Sequence, residues 1–268
     1  MIDDRTRQEF QTEVWDYYHA HGRDGLPWRS TVDAYHVTVS ELMLQQTQVS
    51  RVIPKYHQFL DRFPTVKDLA AAPLGDVLRV WSGLGYNRRA KFLWQTAQRI
   101  MNQYDGVFPA QLDELVTLPG IGRNTASAIL AYAYDEPVVF IETNIRTVFI
   151  HHFFKDRDGV SDKSILELAA ATLDREHPRE WYWALMDYGA YLKRTVGNIS
   201  RLSNTYSKQS SFQGSRRQIR GQVLRLLGTG PSTRAGLEEH ISDERLGRVL
   251  DDLVDERLVR RQGTTYRL

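Results

Sequence analysis

The sequence predicts a mainly α fold that ends in a small module of three helices and a hairpin. Three observations carry that reading. Apolar residues recur near the 3.6-residue helical period in segment after segment, Pro and Gly punctuate the gaps, and no convincing alternating strand precedes residue 258. Helices are expected over residues 6–22, 33–61, 65–72, 75–80, 86–104, 111–117, 124–134, 142–153, 163–175 and 179–193. From about Arg216 the pattern changes. Ile219, Val223, Leu224, Leu226 and Leu227 mark one helix, residues 233–241 a second and residues 242–256 a third. Residues 258–268 then read as a hairpin turning at Gln262 and Gly263.

Composition bounds the chemistry. At 268 residues, with 41% apolar and 25% charged residues, the chain is long enough for two domains and a substantial core. It contains no cysteine, which excludes disulfides, thiolate nucleophiles and cysteine-ligated clusters. No apolar run approaches the ~20 residues of a membrane span. The start Met1-Ile2-Asp3-Asp4 has neither the basic nor the apolar region of an export signal, so a cytoplasmic location and no membrane partner are expected.

Charge is uneven beneath a formal net of +2. Between Tyr188 and Leu237 there are nine Lys or Arg and no Asp or Glu, interleaved with Ser, Asn, Gln, Tyr206 and Phe212. Such a stripe suits phosphate, because cations release counterions while hydroxyls and amides add neutral hydrogen bonds. Arg216, Arg217 and Arg220 are its expected backbone contacts. The third helix of the tail, by contrast, carries Asp243, Glu244, Asp251, Asp252, Asp255 and Glu256 against Arg245 and Arg248. Packing or partner contact is the expected task of so acidic a helix, which leaves Arg260 and Arg261 of the hairpin for phosphates.

The most informative stretch runs Leu118-Pro119-Gly120-Ile121-Gly122-Arg123-Asn124-Thr125-Ala126. Gly120 and Gly122 allow a tight turn with positive φ and leave the backbone uncovered, and the apolar spacing of Ala126, Ile129, Leu130 and Ala133 starts a helix just beyond. Helix N-termini favour anions, so Gly120, Gly122, Arg123, Asn124 and Thr125 form a candidate phosphate cradle.

This stretch resembles the hairpin of the helix-hairpin-helix DNA glycosylase superfamily. The upstream blocks Val39-Ser40-Glu41-Leu42-Met43-Leu44-Gln45-Gln46-Thr47-Gln48-Val49, Arg62-Phe63-Pro64-Thr65 and Trp81-Ser82-Gly83-Leu84-Gly85-Tyr86 look like the MutY-type adenine DNA glycosylases. Pro27-Trp28-Arg29 and Ala184-Leu185-Met186-Asp187-Tyr188-Gly189-Ala190 fit the same family, so the likeness covers roughly residues 10–192. It implies a two-lobed, all-helical helix-hairpin-helix glycosylase core over 1–192, then a basic linker over 193–215. Residues 216–268 look like a winged helix. Family members commonly hold an iron–sulfur cluster on four cysteines after the Gly-Ala block; here Lys193 stands at the first position, so the chain resembles a cluster-free branch and some other device must order residues 193–215. No cofactor is expected, although the resemblance leaves room for a structural monovalent cation at the hairpin.

Hydrolysis of an N-glycosidic bond needs an acid for the departing base and an anion beneath the sugar. By resemblance, Glu41 protonates the purine, with desolvation by Leu42, Met43 and Leu44 raising its pKa. Glu142 stands where the superfamily has an aspartate, and Asn144 orients it or the sugar. The bland alternative pairs Glu142 with Arg146 one turn on. Asn124 occupies the position of the Schiff-base lysine of bifunctional relatives, and an amide cannot attack a sugar, so a monofunctional enzyme is expected. Gln46 and Tyr86 are the candidate wedges for base extrusion. Trp28, Arg29 and Leu44, with Asn124, are candidates for the base pocket.

The resemblance thus implies double-stranded DNA with a damaged, modified or mispaired base as partner, acted on by a monomer. The tail is too short for the oxidised-guanine-reading domain of adenine glycosylases. Adenine or a modified adenine such as an N6-substituted one is therefore the expected leaving group, against an inert DNA-binding protein on the same scaffold or a glycosylase for another damaged base.

Overall fold

The computed structural model describes residues 2–155, 157–204 and 211–268; Tyr206 and Lys208 of the basic stripe lie outside them. In chain order the α-helices are α1 (Asp4–His21), α2 (Ala34–Leu44), α3 (Val49–Arg62), α4 (Val66–Ala71), α5 (Leu74–Trp81), α6 (Arg88–Gln103) and α7 (Leu112–Leu115). They continue as α8 (Arg123–Tyr134), α9 (Thr143–Phe153), α10 (Asp162–Thr172), α11 (Pro178–Thr195), α12 (Arg216–Thr229), α13 (Arg234–Glu238) and α14 (Leu246–Asp255). Short 3-10 turns span Pro27–Arg29 and Ile199–Leu202, and the strands are β1 (Ser232–Thr233), β2 (Arg260–Gln262) and β3 (Thr265–Arg267). No helix among the described residues is long and apolar enough to cross a membrane.

Two compact units emerge from the contacts. The first comprises Met1–Val37, Ala110–Val116 and Ile121–Lys208, and the second Thr38–Pro109, Thr117–Gly120 and Gln209–Leu268. In the first unit α11 packs along α9 and α1, with α10 and the 199–202 turn against α9 and α8 against α11. Phe10 of α1 anchors this core, its ring 5.4 Å from Phe149 and 6.0 Å edge-on from Trp181. Buried aromatics of this size supply most of the apolar area such a core needs.

In the second unit α4 and α5 pack on α6, α3 on α5, and α12 on α5 and α14. Phe59, Phe63 and Trp81 form its aromatic centre, with Phe59 edge-on to both partners at 5.1 and 5.9 Å. A Thr65–Asp68 capping box starts α4, reciprocally satisfying two otherwise orphaned donors. The sheet runs β1-β3-β2, antiparallel throughout.

Three differences from the sequence reading have physical causes. The expected helix over 33–61 breaks into α2 and α3, because Gln46 adopts a left-handed backbone (φ 55°) that no α-helix accommodates. The tail packs within the second unit. Its residues join Thr38–Pro109, with Arg79 Nε donating to Gly228 O at 3.0 Å and Lys91 Nζ to Glu256 O. Its hairpin turns one residue later than expected, at Gly263 and Thr264, because Gln262 pairs with Thr265; β1, missing from the sequence reading, adds a third strand.

Residues 193–204 are fastened to their neighbours. Lys193 belongs to the last turn of α11, and the 199–202 turn is fastened to α9 by Ser200 Oγ on Thr147 Oγ1 at 2.8 Å. Backbone bonds from Val160 N to Leu202 O (2.9 Å) and from Asn204 N to Val160 O (3.1 Å) extend the lock. Buried hydrogen bonds thus order the stretch that follows the Gly-Ala block.

Candidate active site

In the first unit the site is built around the start of α9. Glu142 is the N-cap of that helix, with extended backbone, and its Oε1 accepts from Asn144 N at 2.8 Å and Ile145 N at 3.4 Å. Orphaned amides and the helix dipole both favour an anion there. Neither bond uses Oε2. Desolvation nevertheless pushes the Glu142 carboxyl above its ordinary value, opposed by the Asn144 N–H, the Lys193 ammonium and the Ile145 and Thr143 amides. Arg146 does not pair with Glu142; its guanidinium grips Asp162 of α10 through both carboxylate oxygens at 3.0 Å.

One face of α11 holds this segment. Tyr182, Met186, Gly189 and Lys193 follow the i, i+4, i+7, i+11 spacing of a helical stripe. Tyr182 stacks on Phe140 at 4.2 Å and donates to Val138 O at 2.7 Å, which fixes the approach to Glu142. Met186 Sδ meets Asn144 Nδ2 at 3.9 Å, and Lys193 Nζ donates to Asn144 Oδ1 at 2.8 Å. Gly189 is required by contact, because a Cβ there would lie 2.2 Å from Asn144 O.

The glycine turn reaches the same segment. Asn124 Nδ2 donates to Ile141 O at 2.9 Å, tying the first turn of α8 to the residue before Glu142. Gly122 caps α8 with φ −83°, not the positive φ expected of both glycines, and nothing lies within 4 Å of where its Cβ would be. Arg123 and Asn124 are exposed beside it, and Thr125 is half-buried. Gly120, in the second unit, does adopt φ +75°, and a Cβ there would fall 2.6 Å from Phe92 Cβ.

Arg29 and Trp28 sit in the 27–29 turn, Trp28 half-buried. The Arg29 side chain is 5% exposed and clasps Asp187 of α11 with two bonds of 2.8 Å, lying over the Trp183 ring at 5.4 Å. Asp187 is also bound by Arg23. Burial works against its charge, but the Arg29 and Arg23 bonds outweigh that and hold its carboxyl below the ordinary value. Arg29 is thus committed to an internal ion pair, where the sequence reading gave it to the base.

The second unit carries Glu41, Leu44, Gln46 and Tyr86. Glu41 is half-buried in the C-terminal half of α2, between buried Ser40 and Leu42, and Leu44 is half-buried at that helix's end. Gln46 and Tyr86 both adopt left-handed backbone, φ 55° and 48°, a conformation that costs energy and clusters at functional sites. They line one cavity of about 800 Å³ together with Arg51, Arg88, Phe212 and Arg225.

Arg89 was not foreseen, and it builds that cavity's floor. Its buried guanidinium donates to the carbonyls of Leu42 (2.7 Å), Met43 (3.0 Å) and Gly85 (3.1 Å), and also to Gln45 O, thereby pinning both wedge loops. Desolvation lowers its pKa to about 10, so it stays cationic at neutral pH. Nothing in the sequence set it apart from other arginines. Asp187 could have been found, as an acid inside an apolar helix face.

The tail arginines have internal partners. Arg216 pairs with Asp252 and Arg220 with Glu256, joining α12 to α14, while Arg217 donates to the Tyr86 hydroxyl and lies 5.5 Å over its ring. The donor set does not fit an iron–sulfur cluster: the chain has no thiolate to offer, and Lys193 at the first ligand position is committed to Asn144.

The chain is similar to known proteins. Residues 39–173 match the family described as HhH-GPD superfamily base excision DNA repair protein. The chain is 37% identical over 263 residues to an adenine DNA glycosylase of Mycolicibacterium smegmatis, covering 90% of each. It is 36% identical over 187 residues to one of Buchnera aphidicola, covering 68% of this chain and about half, 52%, of that relative. Among solved structures, a thermostable thymine-DNA glycosylase superposes with TM-score 0.62 at 23% identity over 70% of this chain and 87% of that one. An endonuclease III–DNA complex gives 0.56 at 19% identity over 80% and 91%.

Proposed function

The chain belongs to the HhH-GPD superfamily of base excision DNA repair proteins, and from that premise we propose that it is a monofunctional DNA glycosylase acting on adenine or a modified adenine. It hydrolyses the N-glycosidic bond of a base extruded from double-stranded DNA and leaves an abasic site. Glu41 delivers a proton to the purine, the bond to the sugar breaks, and water adds to the sugar carbon as its proton passes to a carboxylate. Glu142 supplies the anion that offsets positive charge on the sugar.

The observation that carries this reading is the Glu142 N-cap. Its Oε1 is fixed by two backbone amides and its Oε2 is left over, so one oxygen sets the geometry while the other can face a sugar. The extra methylene relative to aspartate is thereby folded back on its own helix. Gly122 and the start of α8 support a phosphate cradle, and Gln46 and Tyr86 support the wedge role through their strained backbones. In this reading the protein works as a cytoplasmic monomer, nucleoid-associated if bacterial, with no cofactor in the chemistry.

Incubation of the full chain with duplexes carrying adenine mispairs and N6-substituted adenines, followed by alkali, tests it. Alkali-labile breaks at the adenine are expected, with no strand cut before alkali and no borohydride-trapped adduct. Tight binding with no labile site on any duplex would make the protein a reader and overturn the proposal.

A further inference from the structure

We propose that Lys193 is a positioning residue of the reaction: from the last turn of α11 its ammonium fixes the Asn144 amide and supplies the countercharge of the Glu142 carboxylate. The inference rests on the glycosylase reading and adds to it a residue of the last turn of α11.

The geometry is specific. Lys193 Nζ donates to Asn144 Oδ1 at 2.8 Å while Met186 Sδ takes the other end of the same amide, so the Asn144 side chain is gripped at both of its polar atoms. Gly189, between them on the stripe, lets α11 approach until its backbone touches Asn144 O. A cation at a helix N-terminus is electrostatically misplaced unless an anion accompanies it, and Glu142 is that anion. Burial draws the Lys193 ammonium below the ordinary lysine range; the Glu142 charge works against that fall, and Arg146 adds to it.

The charged groups around α9 sort themselves accordingly. Lys193 comes from α11, Arg146 from α9 itself, and Asp162 from α10 neutralises Arg146; the 199–202 turn contributes the neutral Ser200 hydroxyl. The Lys193 charge therefore acts on Glu142, while that of Arg146 is taken up by Asp162.

Single-turnover base release is measured against pH for the wild type, Lys193→Met, Lys193→Gln and Lys193→Arg on the best duplex of the panel, together with Kd for the same duplexes. Lys193→Met should slow base release about 100-fold, the scale of an ångström's misplacement, with Kd unchanged. Its acidic limb should move to higher pH, because Glu142 without a countercharge holds its proton longer. Lys193→Gln, which keeps a donor but no charge, should show the moved limb with a smaller loss of rate, and Lys193→Arg should restore both. An unmoved limb in Lys193→Met and Lys193→Gln, or an arginine variant no better than methionine, overturns the proposal. If the wild type releases no base, the glycosylase reading fails separately. The carboxyl ¹³C titration of Glu142, assigned with Glu142→Gln, then decides: a higher midpoint in Lys193→Met upholds the coupling and an equal one overturns it.

Discussion

Asn124 and Ile141 are joined by a 2.9 Å hydrogen bond from side-chain amide to backbone carbonyl, so the first turn of α8 and the residue before Glu142 move as one piece. Asn124→Ala should cost about 1 kcal/mol of stability, the worth of one such bond, and lower the rate of base release with little change in duplex affinity. A rate equal to wild type would show that the brace does not matter to Glu142.

The two glycines of the turn should separate folding from binding. Gly120→Ala places a methyl group 2.6 Å from Phe92 Cβ on a left-handed backbone, and the backbone term alone costs about 1–2 kcal/mol. Gly122→Ala has φ −83° and open space before it, so its fold should lose about 1 kcal/mol or less. Its affinity for any duplex should nevertheless drop, since the methyl occupies the approach to the helix start. Thermal melts and duplex titrations of both variants check this, and undiminished affinity in Gly122→Ala would remove the turn from the interface.

Glu142 should trade stability for chemistry. Its carboxyl lies above its ordinary value, so the folded chain binds that proton more readily than the unfolded chain does. Stability from this group is therefore full below the ordinary glutamate range and declines as pH rises through the folded-state value. Glu142→Gln lacks that decline, and its advantage in Tm over wild type should open with rising pH while base release is lost. A variant less stable than wild type at every pH contradicts that sign.

Asp187 should behave in the opposite sense. Its carboxyl is held low by Arg29 and Arg23, so its stabilisation is present above the ordinary aspartate range and vanishes as pH falls through the folded-state value. Asp187→Asn leaves Arg29 buried without its countercharge, which should cost about 3–5 kcal/mol. Denaturant midpoints of the variant measure this, and a loss below about 1 kcal/mol would mean that the pair is solvated.

The helices were legible because each buries an apolar stripe whose period survives in sequence, and the α9 and α11 segments were found nearly to the residue. The break between α2 and α3 was not, since Gln46 pays for its left-handed backbone with tertiary bonds from Arg89 to the surrounding carbonyls, and a long-range cause leaves no local trace. The roles of Glu41, Glu142 and Asn144 came from motif likeness. What holds Asn144, namely Lys193 and Gly189, lies on one helix whose contacts only folding reveals. The partners of Arg216 and Arg220 were hidden for a related reason: summing charges along the chain ignores the acids that folding sets opposite them.

Those opposed acids alter how the protein meets nucleic acid. With Arg216 paired to Asp252 and Arg220 to Glu256, two of the cations counted in the stripe are partly neutralised before a duplex arrives. Each phosphate contact steepens the logarithmic fall of affinity with salt by about 0.9, so the protein should let go of DNA more gradually in brine than its arginine content advertises.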